Sequence, residues 1–235
     1  VHKDVMIQMD LKDKIKDLTK KFGKLDTPDE QAFFDMMRDR AYEYENLMAC
    51  YKSACMEITT KFNVMNEEFQ LQYDRTPIVS LNSRIKKPYS IQEKLRRKGI
   101  PLSVENIEKH LNDVAGVRVV CSFAEDVYML ADAFLNQDDV ILIEKKDYIQ
   151  NPKPNGYRSL HLIVETPIFL VKEKHMMRAE IQFRTIAMDC WATLEHQINY
   201  KKSGADSEDL EELRVCADMS AEIDRRMEAL WRKLR

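Results

Sequence analysis

Apolar residues recur at steps of three and four through the first third of the chain. Leu11, Ile15, Leu18 and Phe22 form one such set, and Met37, Ala41, Tyr44, Met48, Tyr51, Cys55 and Ile58 form a second. That period predicts two amphipathic helices whose stripes serve as core or as contacts between subunits. Thr27-Pro28 followed by Asp29 and Glu30 suits the start of the longer one, because proline and acidic residues favour the first turn. The middle changes character. Residues 114–123 (VAGVRVVCSF), 140–149 (VILIEKKDYI), 160–170 (LHLIVETPIFL) and 177–185 (MRAEIQFRT) are short, rich in Val, Ile and Phe, and predict strands. A helix, EDVYMLADAFLNQ, separates the first two, and the charged turn KEKH predicts an antiparallel pairing of the last two. The helical period returns at 186–201 and again from Ser207 to the end. No repeat and no low-complexity linker interrupts this order, which describes an α+β domain flanked by helices.

Composition narrows the class. With 44% hydrophobic and 33% charged residues, the chain reads as a soluble globular protein. It has no secretory signal and no apolar run near the roughly 20 residues that cross a bilayer, so a cytoplasmic location away from membranes is expected. Cys50, Cys55, Cys121, Cys190 and Cys216 are odd in number and lack CxxC spacing, which predicts reduced thiols and no zinc site. The net charge of −3 argues against a general nucleic-acid binder. Within it, residues 84–98 (RIKKPYSIQEKLRRK) carry seven basic side chains and one Glu. Such a patch suits a compact polyanion, or is simply a solvated helix face.

The candidate chemistry lies in four stretches. Ser90-x-x-Glu93 has the form of a capping box and Gly99 that of a helix stop, predicting a helix over 91–98. Ser90, Lys94 and Arg97 would share one side of it, with Arg84 and Lys86 preceding its N-terminus, where unpaired N–H groups favour an anion. In LNDVAGVRVV, Asp113 stands before a strand and Gly116 permits close approach of a backbone or ligand. Asp113 could pair locally with Arg118, or could bind Mg²⁺, which takes one or two carboxylates together with phosphate oxygens. In AEIQFRT, alternation puts Ala179, Ile181 and Phe183 on one face and Glu180, Gln182 and Arg184 on the other, as a solvent face or as the floor of a cleft. In the next helix Asp189, Thr193, His196 and Tyr200 share a face, with Trp191 and Leu194 free to pack inward. The fourth stretch is the loop NPKPNGYRSLHL (151–162). Pro152, Pro154 and Gly156 break regular structure, while Lys153, Asn155, Tyr157, Arg158 and His161 offer charge, a flat ring and phosphate donors. That equipment suits a second nucleotide, with the Tyr157 ring rather than its hydroxyl supplying the contact.

Taken in order, RIKKPYSIQEKL, DVAGVRVVC, NPKPNGYRSLHL and EIQFRTIAMDCWATLEHQINYK resemble the synthetase domain of the RelA/SpoT family over roughly residues 40–205, and the short chain resembles a stand-alone small alarmone synthetase. The resemblance implies a mixed, largely antiparallel sheet of about five strands flanked by helices, a nucleotidyltransferase-like synthetase fold. Residues 1–75 and 206–235 would be helical extensions of a core at 76–205. It implies pyrophosphoryl transfer from ATP to the 3′-hydroxyl of GTP or GDP. Arg84, Lys86, Ser90, Lys94, Arg97 and Arg118 would bind ATP, Arg84 and Arg118 by sandwiching adenine. Asp113 and Glu180 would hold Mg²⁺, with Glu180 also the base. Tyr157 would stack on guanine, Asp189 would read its N1–H and 2-amino group, and Lys153 and His161 would hold the acceptor phosphates. Asn155, Arg158, Gln182 and Arg184 complete the acceptor side. A homotetramer is implied as well. No His is followed by Asp, so synthesis without hydrolysis is expected, and the short stretch after residue 205 leads to the expectation of no ribosome-binding domain. A regulatory alarmone or single-stranded RNA is a possible further ligand. The rival reading is a silent guanine-nucleotide or RNA-binding module; two carboxylates beside phosphates and an acidic net charge argue against it.

Overall fold

The computed structural model describes residues 28–201 and 207–234. The expected helix through Leu11–Phe22 lies outside them. The chain divides into two units after Asn46, and the described part of the first, residues 28–46, is helical. All of the sheet lies in the second unit.

Helix α1 spans Pro28–Tyr73, and from Leu47 onward it buries Leu47, Tyr51, Cys55, Ile58, Phe62 and Met65 at helical spacing. Asp74, at φ 50°, ends it in the left-handed region that Asp tolerates. Strand β1 (Ile78–Ile85) follows, then α2 (Pro88–Arg97), α3 (Val104–His110), β2 (Ala115–Cys121), α4 (Ala124–Leu135), β3 (Ile141–Asp147), β4 (Leu160–Phe169), β5 (Lys174–Thr185), α5 (Ile186–Lys201) and α6 (Ser207–Leu234). The strands form one sheet in the order β1-β2-β5-β4-β3. The pair β2–β5 is parallel and the other three are antiparallel, so the sheet is mixed and largely antiparallel, as expected.

Strand β1 is not among the four strands that the pattern predicts. Its sequence IVSLNSRI buries only Ile78 fully, because it is an edge strand with polar groups facing out. Helix α2 also differs from expectation. It starts at Pro88 with Lys87 as its N-cap, and Ser90 lies inside the first turn with no capping role. Proline at the first helical position sets the start, which makes the Ser90–Glu93 box redundant. Gly99, at φ +69°, stops the helix as expected.

The core lies on one side of the sheet. Phe62 of α1 stacks on Phe134 of α4 at 4.8 Å and meets Phe183 of β5 edge-on at 5.5 Å. Ala179, Ile181 and Phe183 are fully buried there. The cysteines are free thiols, with Cys50, Cys55 and Cys121 buried and Cys190 and Cys216 exposed. Burial pushes the Cys55 thiol up to about 11, which keeps it protonated and inert. No helix among the described residues is long and apolar enough to cross a membrane.

Candidate active site

The opposite face of the sheet carries the polar row of β5, and this row is the floor of a cleft rather than a solvent face. Glu180 and Gln182 are partly buried and Arg184 is 5% exposed. Two hollows lie in this region, of which the second opens onto the row. One is lined by Lys86, Tyr89, Ser90, Glu93, Lys94 and Arg97. The other is lined by Asn82, Ser83, Arg84, Gly116, Val117, Arg118, Glu180 and Gln182.

The cationic wall comes from α2. Ile91 and Leu95 are buried beneath it, so Ser90, Lys94 and Arg97 turn towards the hollow. Arg84 is the cross-strand partner of Gly116, and a Cβ on that glycine would lie 3.6 Å from Arg84 Cγ. That is ordinary van der Waals distance, so the Arg84 side chain lies over Gly116 without needing the glycine's missing Cβ. Asp113 accepts from Lys94 Nζ at 2.7 Å and from Lys86 Nζ at 3.1 Å, both through Oδ2. Its Oδ1 is buried without a partner. Burial pushes the carboxyl up, but Lys94 and Lys86 outweigh it and hold the group below its ordinary value. The local Asp113–Arg118 pair does not form. Five extended residues span roughly 16 Å, beyond the reach of an ion pair. Arg118 instead meets Asp189 Oδ1 at 3.2 Å.

The side of the cleft towards the Tyr157 loop is one connected network. Arg184 donates to Asp189 Oδ1 at 2.8 Å and, through its second nitrogen, to the Tyr157 hydroxyl at 2.9 Å and Gln182 Oε1 at 3.3 Å. The Tyr157 hydroxyl is 2.8 Å from His161 Nε2, while His161 Nδ1 is 3.2 Å from Glu180 Oε1. Gln182 Nε2 donates to Glu180 Oε2 at 2.8 Å. The Tyr157 hydroxyl and the His161 ring thus join Arg184 to Glu180 in one chain of contacts, with the donor and acceptor roles set by the His161 tautomer. Burial pushes the Glu180 carboxyl up, yet His161 and Gln182 outweigh it and leave it below its ordinary value. Lys153 Nζ stands 4.7 Å from the ring centroids of both Tyr148 and Tyr157, and the Arg184 guanidinium lies 5.3 Å from Tyr157.

Several expected residues sit elsewhere. Asn155 is committed to the loop, its Oδ1 accepting from Tyr157 N at 3.2 Å. The charge of Arg158 acts on Asp224 of α6. His196 and Thr193 are exposed, and the Tyr200 side chain lies outside the described residues. Trp191 packs inward as expected, but Leu194 is 53% exposed, because α6 covers only the Trp191 side of α5. Three residues near the site carried no recognisable signal. Tyr89 lines the first hollow, Tyr148 packs edge-on against His161, and Lys146 is the cross-strand partner of His161. Placing Lys146 requires the β3–β4 register, which its KKD context does not reveal.

Asp113 and Glu180 lie close enough for each to sense the other's charge. Among the described residues no group of three or more His, Cys, Asp or Glu is arranged to hold a metal. Two carboxylates with one orphaned oxygen make an incomplete set of hard oxygen ligands. Such a set fits Mg²⁺, provided phosphate oxygens complete it.

A cleft with a carboxylate floor, cationic walls and an aromatic loop defines a class of protein that handles phosphorylated nucleotides. Residues 83–205 match the family described as the region found in RelA / SpoT proteins, and the chain belongs to that family. It is 41% identical over 186 residues to GTP pyrophosphokinase YwaC of Bacillus subtilis, covering 79% of this chain and 89% of that protein. Its structure matches small alarmone synthetase 2 of B. subtilis with a TM-score of 0.74 and 39% identity, over 81% of this chain and 99% of that one. It also matches small alarmone synthetase 1 of B. subtilis bound to its product pppGpp, with a TM-score of 0.75 and 32% identity, over 82% and 98%.

Proposed function

We propose that this chain, a GTP pyrophosphokinase, transfers the β,γ-pyrophosphoryl group of ATP to the 3′-hydroxyl of GTP or GDP, giving (p)ppGpp and AMP. The observation that carries this reading is the pair Asp113 and Glu180. They stand between the cations of α2 and the Tyr157 loop, and Asp113 Oδ1 is buried without a hydrogen-bond partner.

The reaction brings two polyanions together, so fixed cations must offset their repulsion. Lys86, Ser90, Lys94 and Arg97 hold the ATP phosphates, and Arg84 with Arg118 takes the adenine. Lys153 and His161, with Lys146 beside them, face the acceptor phosphates. Tyr157 carries the guanine and Asp189 reads its donor edge. Mg²⁺ held by Asp113 and Glu180, when bound, would neutralise charge on the transferred group. The 3′-hydroxyl gives its proton to Glu180 as its oxygen bonds to the β-phosphorus; the bond from that phosphorus to the α–β bridging oxygen breaks, and AMP departs. His161 and Gln182 support Glu180 in its ionised form, ready to accept a proton. The sequence has no His-Asp dipeptide, and hydrolysis of the product is not assigned to these residues. The chain is further proposed to form a homotetramer, supported by the exposed apolar stripe Val215, Met219, Ile223, Met227 and Leu230 along α6. Leu213 and Trp231 of the same helix are not part of it, because Leu213 packs against the core and Trp231 stacks on Phe123.

Incubation of labelled ATP with GTP, and separately with GDP, tests the reading. Equal amounts of AMP and a more highly phosphorylated guanosine nucleotide are expected. Nucleotides left unchanged in the presence of Mg²⁺ would make the chain a binder.

A further inference from the structure

The loop that carries Tyr157 does not rest on the sheet alone. Gly156 has φ +86°, and a Cβ built on it would fall 2.4 Å from the Cβ of Ala217 on α6. The Cα atoms of Arg214 and Ala217 lie 3.8 and 3.9 Å from the same point, so the loop backbone is pressed against the helix itself. Ala217 is 3% exposed and belongs to a small buried cluster with Trp191 and Ala192, against which Tyr157 and Leu213 pack. Trp191 Nε1 donates to the Leu213 carbonyl at 2.9 Å, tying α5 to α6 at this level. Further along, Thr185 Oγ1 donates to Asp224 Oδ2 at 2.7 Å and accepts from Met188 N at 3.2 Å, which fixes α6 to the end of β5.

A glycine at 156 facing a residue no larger than alanine permits this approach. Any longer side chain at either position must lift the loop, and Tyr157 is the next residue along it. We propose that Ala217 of α6 is a positioning residue for the acceptor nucleotide. Through Gly156 it sets the height of Tyr157 above the cleft, while the ATP wall on α2 makes no use of this contact. The inference rests on the reading that Tyr157 carries the guanine of the acceptor. It makes α6 part of the acceptor site although no side chain of α6 reaches the substrate. A shift of α6 along its axis would be felt by the guanine nucleotide and not by ATP.

The test compares the wild type with Ala217→Val, Gly156→Ala, Ala217→Gly and the double variant Gly156→Ala/Ala217→Gly. Each is assayed for the KM of GTP, the KM of ATP and kcat, with a thermal melt. Ala217→Val should raise the KM of GTP about fivefold or more, the low end for a lost base–aromatic stack, and leave the KM of ATP unchanged. Gly156→Ala should behave likewise. In the double variant the obstructing Cβ is gone, so the KM of GTP should return towards the wild-type value. Two results would overturn the proposal. One is a rise in both KM values together with a lowered melt. The other is a Gly156→Ala defect that Ala217→Gly leaves untouched, because backbone strain at positive φ would then explain everything. If the wild type makes no product from ATP and GTP, the functional reading itself fails, and that result is separate from either of these.

Discussion

Replacement of Tyr157 by Phe keeps the ring and removes one oxygen, and the structure assigns that oxygen two jobs. It accepts from Arg184 at 2.9 Å and faces His161 Nε2 at 2.8 Å. From the sequence only the ring seemed to matter, which made Phe a mild substitution. With the hydroxyl gone, Nη2 of a guanidinium whose residue is 5% exposed keeps only Gln182 Oε1 at 3.3 Å. His161 loses the partner that fixes its ring towards Glu180. A hydrogen bond to a charged group contributes about 1.5–3 kcal/mol. The lower end applies because Tyr157 is only half-buried. About 1.5 kcal/mol corresponds to roughly a tenfold loss, expected in kcat because the defect is transmitted to the base, with the acceptor KM little changed. Tyr157→Ala removes the ring together with the hydroxyl, so it should add to the same loss in kcat a KM for GTP raised about five- to 150-fold by loss of the stack. Initial rates over a grid of ATP and GTP concentrations, with melts of each variant, separate the two. A Phe variant with wild-type kcat would show that the Tyr157–His161–Glu180 chain has no part in the reaction.

Glu180→Gln should abolish synthesis while nucleotide binding, read by calorimetry, persists. More than about a tenth of wild-type turnover, a barrier change of only about 1.4 kcal/mol, would remove Glu180 from the role of base. Asp113 has a folded pKa held below its ordinary value of 3.8 by Lys94 and Lys86 against the effect of burial, so its ionised form stabilises the fold. That contribution is complete above the ordinary value and is lost as pH falls through the lower folded one. The melting-temperature gap between wild type and Asp113→Asn should therefore hold constant from neutral pH down to about pH 5 and close only in stronger acid; a gap that closes near pH 6 would contradict this. Ile223→Glu with Met227→Glu, at positions 56% and 53% exposed, should reduce the particle mass in light scattering and leave the core intact. An unchanged mass would place the subunit contacts elsewhere.

Four of the five strands are legible from runs or alternations of Val, Ile, Leu and Phe. β2 and β4 bury such residues at most positions and β5 at alternate ones, whereas β3, an edge strand exposed nearly throughout, is betrayed by its ILI run alone. β1, the other edge, was hidden because Ser, Asn and Arg break up its few apolar residues. The start of α2 was misplaced because Ser90 and Glu93 imitate a cap, whereas Pro88 sets the start and Glu93 pairs with Arg96 and Arg97. In the cleft, Asp113, Glu180 and the Tyr157 loop stand out by chemistry, as carboxylates and aromatics where a bland surface would have neither. The Arg118–Asp189 contact and the position of Lys146 depend on strand pairing and helix direction, which residue spacing does not encode. Nor does an alanine in a polar helix hint that it supports a loop some sixty residues earlier; only the absent Cβ of Gly156 shows it.

The parallel pairing of β2 with β5 also governs when the site can exist during folding. β4 and β5 join through the short Leu170–Glu173 turn and can zip together locally, whereas β2 must wait for a strand that begins at Lys174. Closing so long a loop is slow, and its entropy is lost before any contact compensates. Every proposed donor cation belongs to a segment ending by Arg118, and every proposed acceptor group comes after Lys145. A nascent chain emerging from the ribosome therefore holds its proposed ATP-binding half and its proposed guanine-binding half as separate, incomplete surfaces. They become one enzyme only when the central pair of strands closes, so a chain halted before β5 carries no partial activity.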